Sequence, residues 1–213
     1  MSGVIFDAWD SWHAAVRLLG AVLAAGAAIK LMDDYLDREM DALAGRRTLA
    51  AWLGAGTVAY ALAALAIGML LEPKTAGSLF LAAYAVGMGH EPGRRLPSGL
   101  TAWQESLGAV AAGTLLAGPA PMAASLLAMV VVQCADDLID LAGDRRRGHR
   151  SWAVRLGTVE TGLLGLAALL TGLVLAPLLM IVVIAAAALT DALFRRVAHL
   201  LPAAGERLGE GNL

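Results

Sequence analysis

The 213-residue sequence predicts an all-α fold, a multi-pass transmembrane helical bundle of about seven spans, on three observations. It is 59% hydrophobic and only 16% charged, where a soluble domain carries about a quarter charged residues. Uncharged apolar runs of membrane-crossing length recur along it. Its basic residues gather between alternate runs. The net charge of −2 gives no electrostatic footing for nucleic acid. The single cysteine, Cys134, excludes an internal disulfide. The first thirteen residues hold no basic segment ahead of an apolar core, so no cleavable leader is expected.

The first helix is expected over 14–41. Its apolar part, Ala14–Met32, is interrupted only by Arg17 and Lys30 near its ends, where long basic side chains can snorkel. Leu49–Leu71 follows with 23 uncharged residues, enough for a hydrocarbon core of about 30 Å at about 1.5 Å per residue. Thr75–Gly89 is shorter and predicts a helix over 75–90 extended by its flanks. Ser106–Ala135 is uncharged for 30 residues but is broken by Pro119-Ala120-Pro121, which predicts helices over 100–117 and 122–144 joined by a tight turn. Thr161–Thr190, also uncharged for 30 residues, divides at Pro177 into helices over 153–175 and 177–195. One transmembrane domain over 1–199 and a short polar tail over 200–213 are therefore expected. The 24 glycines and abundant alanine suit close helix packing in lipid.

With seven spans, the segments after helices one, three, five and seven share a side. Thirteen of the sixteen basic residues fall there, from Arg38 to Arg207; Arg17 and Lys74 fall opposite, and Lys30 lies within helix one. Such a bias places the N-terminus outside the cell membrane and the C-terminus in the cytoplasm.

Against this apolar background two acidic clusters stand out, Asp33-Asp34-x-x-Asp37-x-x-x-Asp41 and Asp136-Asp137-x-x-Asp140-x-x-x-Asp144. In each, the last three carboxylates lie at i, i+3 and i+7, one face of a helix. So much negative charge beside lipid is costly unless a cation offsets it. Mg²⁺ takes oxygen ligands and often bridges one or two carboxylates to phosphate oxygens. Both clusters fall at cytoplasmic helix ends and are expected to line one cytoplasm-facing central cavity. Two carboxylate clusters with interspersed arginines suit a diphosphate, and an apolar bundle suits a lipid attached to it.

The stretch Asp33–Thr48, DDYLDREMDALAGRRT, resembles the first signature of the UbiA superfamily of intramembrane prenyltransferases, NDxxDxxxD with an arginine shortly after. Asp136–Gly157, DDLIDLAGDRRRGHRSWAVRLG, is similar to that family's second motif, with its GDRxxGxRTxAVxLG tail. Between them Arg94-Arg95-Leu96-Pro97 and Leu107-Gly108 resemble the family's loop and following helix. The resemblance covers about residues 14–195. It implies two Mg²⁺ ions, one held by Asp34, Asp37 and Asp41 and one by Asp137, Asp140 and Asp144. Lys30, Arg47, Arg145 and Arg150 would contact the diphosphate or pair the carboxylates. The activity implied is transfer of a prenyl group from a prenyl diphosphate to a lipophilic or aromatic acceptor.

The sequence departs from the family in Asp33 for the usual Asn, in Ser151 for the usual Thr, and in seven expected spans for nine. The two spans without a counterpart would help wall the cavity, so a second copy of the chain is expected to complete it as a homo-oligomer. A terpene cyclase or inactive member on the same scaffold, and a membrane protein that binds divalent cations without catalysis, are the alternative readings. A soluble isoprenyl diphosphate synthase conflicts with the long uncharged runs. A CDP-alcohol phosphotransferase conflicts with the absence of its D-G-x-x-A-R core.

Overall fold

The computed structural model describes residues 2–148 and 151–201. Among them the architecture is all-α: α1 (Ser2–Leu36), α2 (Arg38–Leu43), α3 (Leu49–Leu53), α4 (Thr57–Leu71), α5 (Pro73–Gly87), α6 (Ala102–Ala117), α7 (Pro119–Arg147), α8 (Trp152–Arg155), α9 (Thr158–Leu175) and α10 (Pro177–Leu200). Two 3₁₀ turns, Gly54–Gly56 and Met88–His90, join them, and a lone bridge pairs Arg95 with Thr101. The tail expected over 200–213 lies outside the described residues beyond Leu201.

Five stretches among the described residues are long and apolar enough to cross a membrane: Trp12–Leu36, Leu49–Leu71, Pro119–Arg146, Thr158–Leu175 and Pro177–Leu200. They are consistent with a multi-pass membrane helical bundle. The remaining two expected spans form as α5 and α6, of 15 and 16 residues. At about 1.5 Å per residue these reach about 22–24 Å, short of a hydrocarbon core of about 30 Å.

The same one-residue hinge is used three times. Glu72, Gly118 and Ala176 each separate a helix from a proline that opens the next one. Proline at the first helical position gives up an N–H that has no intrahelical partner, and it drives the residue before it out of the helical region. Glu72 and Ala176 accordingly sit near φ −152°, and Gly118 at φ +96°. Pro121 does not delay α7 to residue 122, because the first turn's N–H groups lack helical partners in any case.

Three breaks were not predicted. The 49–71 stretch is interrupted by the turn at Gly54–Gly56, where Gly54 has φ +57°. The buried Thr57 hydroxyl donates towards the Gly54 and Ala50 carbonyls, at 2.7 and 3.1 Å, and so takes up acceptors the break leaves behind. The first helix begins at Ser2, not 14, and bends at Asp37 instead of running to 41, and the 153–175 stretch breaks after Arg155, where Gly157 takes φ +109° ahead of α9.

The chain divides into two compact units, Met1–Leu71 with Ala185–Leu213, and Glu72–Ile184. In the first, α1 packs along α4 and α3, and Gly26 faces Thr190 of α10. In the second, α7 packs against α9, α5 and α8, and α5 against α6. The buried side chains are largely small: Ala21, Ala25 and Ala28 in α1, Ala76 and Ala82 in α5, Ala124 and Ala128 in α7. Large apolar side chains such as Leu70, Leu115 and Val174 point outward, each more than four-fifths exposed. Small-inside, large-outside is the pattern that lets helix backbones approach closely in lipid.

Candidate functional site: two acidic helix ends

The first cluster closes α1. Asp34 is buried, 8% exposed, and its carboxylate pairs with Lys30 Nζ one turn earlier at 3.1 Å. Asp33 lies on the exposed side. Asp37 sits at the bend, with ψ near 0°, although Asp37 N–H still bonds Asp33 O and Asp41 N–H bonds Asp37 O. The bend leaves Asp37 exposed while Asp41 turns inward to 9% exposure. The i, i+3, i+7 face is therefore kept by its first and last members and lost by the middle one.

After α2 the chain reverses through Gly45, at φ +67°. That turn brings Arg46 back: its N–H bonds Asp41 O at 2.9 Å and its guanidinium lies 3.9 Å from the Asp41 carboxylate. Arg47, the expected partner, is exposed. The two arginines are adjacent in sequence, and only the turn geometry decides between them.

The second cluster lies on an unbroken helix, the C-terminal third of α7. Asp137 and Asp144 are buried, at 5% and 4% exposure, Asp140 is half-buried, and Asp136 is exposed. Here the predicted single face is intact. Asp137 Oδ1 accepts from Gln133 Nε2 at 2.8 Å. Its Oδ2 accepts the Trp152 backbone N–H at 2.6 Å and lies 3.5 Å from His90 Nε2. Each bond to a charged acceptor contributes about 1.5–3 kcal/mol, so the buried carboxylate is well satisfied.

His90, Gln133 and the Trp152 amide are partners that sequence reasoning missed. Gln133 was readable, since it stands at i−4 to Asp137 on the same helix. His90 was not, because its approach depends on how the 3₁₀ turn after α5 meets α7. Arg145 is exposed, and Arg146 Nε donates to Ala142 O at 3.0 Å. Arg150 lies outside the described residues.

A further acidic group, Glu105 at the start of α6, accepts from both Tyr84 and Ser98 and so pins the 91–101 loop to α5. Beside it, an open apolar groove of about 370 Å³ is lined by Met88, Trp103, Leu107, Val110 and Leu126 among others.

Among the described residues, no three His, Cys, Asp or Glu side chains are gathered as a ready-made metal centre. The donors present are carboxylates, which suit Mg²⁺, and Mg²⁺ is held by one or two protein carboxylates, with waters and substrate phosphate completing its shell. The donor chemistry therefore fits that ion. No family model, no curated protein and no solved structure matches the chain.

Proposed function

We propose that the protein is a Mg²⁺-dependent membrane prenyltransferase of the UbiA type, moving a prenyl group from a prenyl diphosphate to a lipophilic or aromatic acceptor. The observation that carries this reading is the repeated motif. Two DDxxDxxxD clusters each bury their second and last aspartates at a helix end, in a chain whose described residues include five helical stretches of membrane-crossing length. Buried carboxylates at such ends are costly to retain and mark ion or substrate sites.

Asp37 and Asp41 of the first motif would hold one Mg²⁺, and Asp140 and Asp144 of the second another. Asp34 and Asp137, each engaged by a residue four positions earlier, complete the two motifs. Bound Mg²⁺ supplies charge neutralisation of the diphosphate as it departs. Lys30, Arg46, Arg47 and Arg145 add positive charge beside the carboxylates, and apolar helices keep water from the allylic carbon. The reading puts the chemistry on the cytoplasmic side that the arginine bias indicates.

The test is Mg²⁺-dependent pyrophosphate release from geranyl, farnesyl and geranylgeranyl diphosphates by the purified protein, with and without a membrane lipid extract as acceptor source. Release that needs Mg²⁺ and the extract, and is lost in both Asp37→Ala and Asp140→Ala, is the expected result. Retained release in both variants would remove the two-motif mechanism. Release that needs no acceptor would replace transfer by cyclisation or hydrolysis.

A further inference from the structure

We propose that Asp137 is a positioning residue of the second motif: it ties down the segment that follows α7, leaving Asp140 and Asp144 to face a metal-bound diphosphate. The consequence for catalysis rests on the prenyltransferase reading; the tie itself does not.

The geometry is that of a hub. One buried carboxylate joins three elements: α7 through Gln133, α8 through the Trp152 amide, and the Met88–His90 turn through His90. A carboxylate has about four lone-pair directions, and these three partners take up most of them. The imidazole is oriented by its other nitrogen, with Nδ1 2.9 Å from Gly87 O. Its ring lies 5.7 Å from that of Trp152, tilted by 43°. Trp152 closes so tightly on the turn that a Cβ at Gly89 would stand 3.0 Å from its Cζ2. Arg155 completes the enclosure by donating to the His90 carbonyl.

The short helix α8 explains why an outside tie is needed. Its first N–H, on Trp152, has no intrahelical partner and lies out of reach of the N-cap side chain, which accepts from the second or third helical residue. Ser151 occupies that position, yet its side chain makes no capping bond and its buried hydroxyl has no hydrogen-bond partner among the described residues. Asp137 caps α8 from another helix instead. Whatever loosens Asp137 therefore loosens α8.

The experiment pairs hydrogen–deuterium exchange over Ser151–Leu156 with pyrophosphate release, in native protein and in Asp137→Ala, Asp137→Asn, His90→Ala and Asp140→Asn. Asp137→Ala is expected to speed exchange over that segment about tenfold or more, and His90→Ala to speed it less. Asp137→Asn keeps an acceptor for the Trp152 amide, so it should restore native exchange and recover turnover to within about tenfold of native, the scale of an outer-sphere change. Asp140→Asn should leave exchange native and abolish turnover. Native exchange in Asp137→Ala would overturn the tie. Native exchange in Asp137→Asn with turnover as fully lost as in Asp140→Asn would make Asp137 a ligand and overturn the assignment. If the native protein releases no pyrophosphate at all, the prenyltransferase reading falls, and the exchange comparison alone still decides the tie.

Discussion

Lys30 and Gln133 stand in equivalent places, each four residues ahead of a buried motif aspartate, but they satisfy it by different means. Lys30 cancels the charge of Asp34 across 3.1 Å. Gln133 only hydrogen-bonds Asp137, whose remaining partners come from His90 and a backbone amide. Removing Lys30 leaves a buried carboxylate without its counter-charge. That costs about 3–5 kcal/mol at a fully buried pair, and about 1–2 kcal/mol here because the lysine is one-third exposed. Lys30→Met should therefore lower the thermal midpoint in detergent, and Lys30→Met with Asp34→Leu should recover it, since an apolar pair replaces an ion pair at little cost. An unrecovered midpoint in the double variant would show that Asp34 has another essential partner. These i−4 relations are visible in the sequence because helical periodicity alone creates them. Arg46 in place of Arg47, and His90 beside Asp137, are not visible. The first depends on a glycine turn and the second on a contact 43 residues from Gln133 in sequence.

Among the elements, the prolines and the uncharged runs announced most boundaries correctly. Proline acts locally, through its own ring and missing N–H, so its effect needs no tertiary information. The break at Gly54–Gly56 and the bend at Asp37 escaped notice because each depends on which neighbours accept the interrupted helix. Gly118 shows how strictly one hinge is specified. Its φ of +96° with ψ of 164° lies in a region open essentially to glycine alone, so Gly118→Ala should cost about 1–3 kcal/mol. Gly165 makes the matching point for packing. A Cβ there would stand 3.0 Å from Cys134 Cβ, an atom fixed to the α7 backbone, so the α7–α9 contact must open to admit it. Gly165→Val should destabilise by about 1–3 kcal/mol, read as a lower thermal midpoint. An unchanged midpoint would mean that the contact between α7 and α9 is loose.

For the whole molecule, charge distribution speaks to sidedness and says nothing of packing. That is why an all-α architecture with helices of membrane-crossing length was legible while the division into two compact units was not. Sidedness is open to direct measurement in a Cys134→Ala background. In right-side-out vesicles an impermeant maleimide should label Lys74→Cys and spare Arg95→Cys, and inverted vesicles should give the reverse. Labelling of Arg95→Cys from the outer face would sink the assigned orientation. The two short helices α5 and α6 carry a different implication. Were they to cross a hydrocarbon layer of about 30 Å, segments of about 22–24 Å would oblige the lipid around them to thin, or their flanks to be drawn inward. The surrounding annulus would then be under elastic load. Shortening the acyl chains would relieve that load, so bilayer thickness itself would become a variable that sets which membranes accommodate such a chain most comfortably.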